Sequence, residues 1–225
     1  MKLQAVIFDM DGTLFDSERI AQKIWYQLGE EFDLPVSDSF LRELAGRDWN
    51  SAKNVFERYF PQEWPLEKVK ERQKELFAQF YQNNGADVKK GFYDILNYLY
   101  EKKIPMAIAT SSFPLCVEAN LQHAQAQHYF QSIVTGYDSD VKAGKPAPDI
   151  YECAAKRLHV PIKQCIVVED SPSGILAADA AQAMPLLIPD AAYVNDAIRK
   201  KAKWILKSLD EMIPLLEKEE SSYDI

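Results

Sequence analysis

Two aspartates one residue apart, Asp9 and Asp11, close the apolar run Val6-Ile7-Phe8, and Gly12-Thr13 follows at once. Alternate side chains of a strand share a face, so the pair converges on one spot just past a strand's carboxyl end, where Gly12 lets the backbone turn. Two close carboxylates repel, and a hard divalent cation with oxygen ligands, or a shared proton, relieves the repulsion. Spacing alone would equally describe a hairpin turn at Asp11-Gly12. Three later strand ends argue against a hairpin. The apolar run 106–109 ends in Thr110-Ser111-Ser112 ahead of a helix starting at Pro114, a hydroxyl cluster at a helix N-terminus where anions bind. Lys142-Ala-Gly-Lys145-Pro-Ala-Pro-Asp149 sets an ammonium in a stiff loop before another helix. Ile166-Val167-Val168 ends in a second acidic pair, Glu169-Asp170, opening into Ser171-Pro172. Together the four ends supply carboxylates for a cation, hydroxyl and N–H donors for an anion, and one ammonium, the components of a magnesium and phosphate site.

Such groups must be held by a sheet, and the chain from Asp87 onward has the pattern of one. Helices over 93–101, from Pro114, over 149–158 and over 173–183 alternate with short apolar strands at 106–109, 133–134, 165–168 and 186–188. That alternation predicts an α/β fold with a doubly wound parallel sheet, in which ligands bind beyond the carboxyl ends of the strands. Between about Asp16 and Asn84 the pattern is helical throughout, with Ile20, Ile24, Trp25 and Leu28 on one face and Leu41, Leu44 and Ala45 on another. Pro35 with Ser37 as an N-cap, Gly46, Pro61 and Pro65 punctuate it into about four helices, and Asn83-Asn84-Gly85 ends the last. Residues 1–16 and 86–225 are therefore read as the α/β core and 17–85 as an inserted helical-bundle cap. The acidic tail after Leu216 is expected to be frayed and solvated.

Composition bounds the function classes. With 225 residues and 47% hydrophobic content the chain can bury a large core and a small second domain. A formal charge of −8 and a pI near 5.0 give no basic field for nucleic acid, so an anionic substrate must be caught by local positive groups. No apolar stretch is long enough to span a bilayer and no leader is apparent, so a cytoplasmic protein without membrane attachment, acting as a monomer, is expected. Cys116, Cys153 and Cys165 are odd in number and lie in apolar surroundings, which predicts buried thiols.

On these residues the chain resembles the haloacid dehalogenase-like phosphatases and phosphomutases, in the subgroup with a helical cap after the first strand of a Rossmann-like core. Asp9-Met-Asp11-Gly-Thr matches the nucleophile motif, Thr110 the second motif, Lys145 in Gly-Lys-Pro-Ala-Pro-Asp the third, and Glu169-Asp170-Ser-Pro-Ser-Gly the fourth. The likeness is greatest to the β-phosphoglucomutase and pseudouridine-phosphatase branch. Ala183-Met184 stands where relatives often carry Gly-Met. The resemblance implies a Mg2+-dependent phosphohydrolase acting on a small phosphorylated metabolite, a sugar or nucleoside monophosphate. In it Asp9 is the nucleophile that forms an aspartyl-phosphate, and Asp11 is the acid and base. Thr110, the Ser111 amide and Lys145 bind the phosphoryl group. Asp9, the Asp11 carbonyl and Asp170 hold Mg2+, with Glu169 direct or through water. Asp16-Ser17 is implied as a hinge, and Arg47 as a substrate-reading cap residue, with Arg72 a further inward-facing candidate.

Three other classes fit less well. A binding protein that kept only the fold would be expected to lose Asp9 or Asp11. A dehalogenase has no leaving oxygen for Asp11 to protonate. The glycines form neither a P-loop nor a dinucleotide fingerprint. A sugar phosphomutase of the β-phosphoglucomutase type is the alternative reading. Relatives of that kind carry a histidine on the first cap helix, where this chain reads Ser17-Glu18-Arg19-Ile20-Ala21-Gln22, and 17–85 contains no histidine. The histidines, His123, His128 and His159, lack metal spacing and are assigned no role.

Overall fold

The structure, a computed structural model, describes residues 3–45, 49, 52–60, 63–82, 84–190 and 194–221. Its organising strand is β1, Ala5–Phe8, in which all four residues are buried. Val6 and Phe8 face one side of the sheet, and Ala5 and Ile7 the other. A strand apolar on both faces belongs in the middle of a parallel sheet, and β1 pairs in parallel on both edges.

Helices α1 (Glu18–Phe32), α2 (Asp38–Leu44), α3 (Lys53–Tyr59) and α4 (Leu66–Tyr81) follow β1. Ser37 caps α2 as its sequence predicts, its hydroxyl accepting from the Phe40 N–H at 3.3 Å. These helices enclose an aromatic cluster. Trp25 lies 5.2 Å from Phe40 and 5.8 Å from Phe56 between ring centroids, and Phe60 lies 4.8 Å from both Phe40 and Trp64. Large flat side chains let short helices bury enough apolar surface to hold together.

Then come α5 (Phe92–Glu101), β2 (Met106–Thr110), α6 (Pro114–His123), β3 (Ser132–Thr135), α7 (Asp149–Arg157), β4 (Cys165–Glu169), α8 (Pro172–Ala180), β5 (Met184–Leu187), α9 (Asp196–Arg199), β6 (Trp204–Ile205) and α10 (Met212–Ser221). The sheet is parallel throughout, in the order β3-β2-β1-β4-β5-β6. Phe92, Leu96, Val117, Met212 and Leu216 cover the face carrying Val6 and Phe8, while Ile150, Tyr151, Ala154, Ala177 and Ala178 cover the other. This is the expected doubly wound arrangement. Strand order runs outward in opposite directions from β1 and β4, so the topological switch, and the crevice it creates, lies between their carboxyl ends.

The tail departs from the sequence expectation. The chain after Leu216 continues α10 to Ser221 instead of fraying. Met212 and Leu216, both buried, anchor one face of this helix, and Glu217, Lys218 and Glu219 are good helix formers once that face is docked.

The segment carrying α1–α4 leaves β1 and returns toward α5 through two crossings that lie side by side. The Asp16 N–H donates to the Asp87 carbonyl at 2.8 Å, and the Lys89 N–H donates to the Leu14 carbonyl at 2.9 Å. Asn120 fixes the return crossing from the core side: fully buried, it accepts from the Ala86 N–H at 2.8 Å.

Candidate active site

Asp9 leaves β1 with its backbone still in register, its N–H donating to the Val168 carbonyl at 2.9 Å. This levels Asp9 with Glu169 at the end of β4. Gly12, at φ +77°, then turns the chain, and a side chain there would run into Asp170. Only glycine permits both the left-handed backbone and the approach of that carboxylate.

Lys145 reaches in from the loop before α7, its side chain 7% exposed. Its ammonium pairs with Asp9, donates to Glu169 Oε1 at 2.7 Å and faces the Ala109 carbonyl at 3.4 Å, which occupies its three N–H groups. Burial alone would favour the neutral amine, but the charges of Asp9 and Glu169 prevail and hold Lys145 protonated well above the ordinary lysine range.

Glu169 is saturated. Its Oε1 accepts from Lys145 and from the Tyr151 hydroxyl at 2.6 Å, and its Oε2 accepts from the Asp170 N–H, the Ser171 N–H and the Ser171 hydroxyl at 2.9 to 3.0 Å. Burial works against its charge, yet Lys145 and these donors keep its pKa below the usual value. Gly174 in the first turn of α8 packs so close to this carboxylate that a Cβ would overlap it. Tyr151 does not stand out in the sequence, where it reads as a core aromatic of α7; Gly174 closes the fourth motif, but nothing in the sequence tells that it packs on Glu169.

Asp11 is held by hydroxyls. Its Oδ1 accepts from Ser17 at 2.6 Å, and its Oδ2 from Ser112 at 2.6 Å and Thr110 at 3.1 Å. Thr110 Oγ1 also accepts from the Ser112 N–H at 3.0 Å, tightening the turn after β2. A hydroxyl can rotate to donate or accept, so this cage suits a carboxyl group that must both give and take a proton. Ser17, which the sequence offers only as a hinge residue, and Ser112, in the hydroxyl run after β2, are neighbours of Asp11 to which the motifs assign no role.

Asp9, Glu169 and Asp170 each offer an oxygen within 4.8 Å of the others, and all three are buried. Burial, then the charges of Glu169 and Asp9, push the Asp170 carboxyl well above its ordinary pKa. Asp9 is raised likewise, by burial and then by Glu169 and Asp11, against the opposing pull of Lys145. Among the described residues the Asp170 side chain accepts a single hydrogen bond, from Thr13 at 3.3 Å. Hard oxygen donors with unbalanced negative charge and open lone pairs fit a divalent cation.

Above these groups a cavity of about 260 Å3 opens between the sheet and α1–α4. Asp9, Asp11, Thr110, Ser111, Lys145 and Asp170 line its floor, so all six reach one space. Arg47 lies outside the described residues. Arg72 turns away from the cavity: its guanidinium donates to both oxygens of Glu31 on α1, at 2.7 and 3.0 Å, and to Glu75 at 3.0 Å. A partner 41 positions away in sequence has claimed it.

A family model described as haloacid dehalogenase-like hydrolase matches residues 6–187. The "Probable pseudouridine-5'-phosphatase" of Drosophila melanogaster is 32% identical over 221 residues, 95% of this chain and 93% of that one. A fructose-1-phosphate phosphatase of Escherichia coli is 32% identical over 181 residues, 78% of this chain and 91% of its own. The crystal structure of a β-phosphoglucomutase from Clostridium difficile superposes with a TM-score of 0.77 over 98% of each chain, at 22% identity, a likeness of fold. No described helix is long and apolar enough to cross a membrane.

Proposed function

We propose, because the chain belongs to the haloacid dehalogenase-like hydrolases, that it releases inorganic phosphate from a small phosphorylated metabolite, a sugar or nucleoside monophosphate, through an aspartyl-phosphate on Asp9. The enzyme is a phosphoric monoester hydrolase. The observation that carries the finer reading is the convergence of Asp9, paired with Lys145, and Asp11, caged by three hydroxyls, on one cavity floor.

In the first step an Asp9 oxygen bonds to phosphorus as the bond to the leaving oxygen breaks, and Asp11 gives that oxygen its proton. In the second, Asp11 takes a proton from water as the water oxygen bonds to phosphorus and the Asp9–phosphorus bond breaks. Lys145 offsets the charge of the phosphoryl oxygens, which Thr110 and the Ser111 amide hold in place. Asp9, Asp170 and the Asp11 carbonyl would hold Mg2+, which when bound neutralises charge between the anionic nucleophile and the anionic phosphoryl group. Glu169, its oxygens already occupied, serves instead to fix Lys145 and the loop into α8. Residues 17–85 act as the cap that excludes bulk water and reads the rest of the substrate, and Arg47 in that segment is a substrate-reading candidate.

The test is phosphate release from a panel of sugar and nucleoside monophosphates with Mg2+, with chelator, and with Asp9→Asn. Turnover that disappears with chelator and drops at least ~10³-fold in the variant is expected. Near-normal turnover by Asp9→Asn would refute the covalent route. From β-glucose 1-phosphate with a trace of its 1,6-bisphosphate, accumulation of glucose 6-phosphate without inorganic phosphate would replace hydrolysis by mutase transfer.

A further inference from the structure

Two large aromatic side chains from the loops after β2 and β3 line the cavity with part of their surface exposed. Phe113 is 37% exposed and Tyr137 is 57% exposed, and both line it. Their rings stack at 4.8 Å between centroids with 23° between planes. They come from separate loops, Phe113 directly after the hydroxyl turn that follows β2 and Tyr137 after β3. The pair is therefore built by the fold and is not a chance neighbour contact along the chain. Exposed aromatic surface costs free energy unless something covers it, and here the covering space is the cavity above Asp9.

The opposite wall has matching character. Trp25 and Trp49 line it from the helical side. Its polar groups include two carboxamides: Gln22 has no hydrogen-bond partner among the described residues, and Gln73 accepts from Trp49 Nε1 at 3.0 Å, leaving its amide N–H groups open. A carboxamide can donate and accept together, as the edge of a neutral heterocycle requires. Aromatic walls with neutral amide handles suit a flat unsaturated ring better than a polyol, whose hydroxyl groups would lose water against ring faces.

We infer that the Phe113–Tyr137 stack is a specificity platform for a planar heterocyclic base, which makes the preferred substrate a nucleoside monophosphate over a bare sugar phosphate. The inference rests on the hydrolase reading above and narrows it. Phosphate engages the floor, the ribose spans the middle of the cavity and the base lies against the platform.

Uridine 5'-monophosphate and ribose 5-phosphate decide the matter, because both release phosphate from the same kind of primary alkoxide and differ in the base. The wild-type enzyme should show kcat/KM at least roughly tenfold higher on the nucleotide, the scale of one base–aromatic stack. In Phe113→Leu/Tyr137→Leu, and more weakly in each single variant, the loss on the nucleotide should exceed the loss on the sugar phosphate by about the same factor. A wild-type ratio near one, or equal losses on both substrates, overturns the platform while leaving the hydrolase reading intact. Failure of the wild type to release phosphate from either compound, or from 4-nitrophenyl phosphate, would overturn the hydrolase reading and the platform with it.

Discussion

Replacing Lys145 by methionine separates the electrostatics of the site from its packing. Lys145 lies 2.7 Å from Glu169 and pairs directly with Asp9, with a side chain 7% exposed. At an effective dielectric of 20, a unit-charge pair at that separation is worth about 6 kcal/mol before desolvation. Removing one partner of a buried pair costs roughly 3–5 kcal/mol once the stranded charge is counted. For a chain of this size that lowers Tm by about 6–20 °C, at roughly 2–4 °C per kcal/mol. In the proposed mechanism the phosphoryl group also loses its ammonium, and one charge near 4 Å contributes about 4 kcal/mol, or ~10³-fold in kcat. Stability and turnover should respond differently to acid. Lys145 opposes the rise of the Asp9 pKa and lowers that of Glu169. Without it Asp9, already raised, binds its proton still more tightly in the folded state than in the unfolded one, and Glu169 loses part of what lowers it, so part of the lost stability returns as pH falls toward ordinary carboxylate values. On the proposed covalent route turnover does not return, since a protonated Asp9 would be no nucleophile. Thermal unfolding in chelator between pH 4.5 and 8, with steady-state phosphate release alongside, tests this. A kcat within tenfold of wild type, or a Tm within about 2 °C at pH 8, would refute the reasoning.

In metal-free wild-type protein the raised Asp9 and Asp170 groups give stability that is complete below the unfolded carboxylate pKa and lost as pH rises through their folded values. Added Mg2+ must displace those protons, so the Tm increment it confers should grow from pH 5 to pH 8; a flat increment would argue that these carboxylates do not bind it. Gly174→Ala forces a methyl group against the Glu169 carboxylate. It should lower Tm and kcat together and weaken Mg2+ activation, whereas a variant with wild-type unfolding and turnover would remove the close approach from the account. Burial pushes the Cys116 and Cys165 thiols up to about 12, and all three cysteines are buried and free. A disulfide reagent at pH 8 should therefore titrate no thiol quickly in the native enzyme and three in denaturant; fast native reaction would contradict the packing around α6, α7 and β4.

What the sequence makes legible follows from which interactions are local. β1, β2 and β4 are short apolar runs that stop at polar groups because they lie mid-sheet and end at the crevice, and those ends carry Asp9, Asp11, Thr110, Glu169 and Asp170. The hydroxyl cage of Asp11 was half visible: Thr110 and Ser112 are sequence neighbours, but Ser17 comes from the far side of the Gly12 turn. The Tyr151 bond to Glu169 joins α7 to β4, and the Thr13 bond to Asp170 joins two turns 157 positions apart, so no spacing rule announces them. Arg72 carries the charge and helical position of an inward residue, and only the packing of α4 on α1 reveals Glu31 as its partner. β6, two residues long, is too short to have a period, and α10 extends through charged residues because its buried anchors lie in its first turns.

The paired crossings at Asp16–Asp87 and Leu14–Lys89 also set how the chain tolerates change. They make the 70-odd intervening residues a loop whose ends are already stitched, and each doubling of such a loop costs only about 0.6 kcal/mol of closure entropy. Replacing those helices with a shorter or longer segment would leave the register of β1 against β2 and β4 untouched, and with it the floor of the site. The crossing is thus the natural splice point for grafting a different helical segment onto an unchanged sheet and its strand ends.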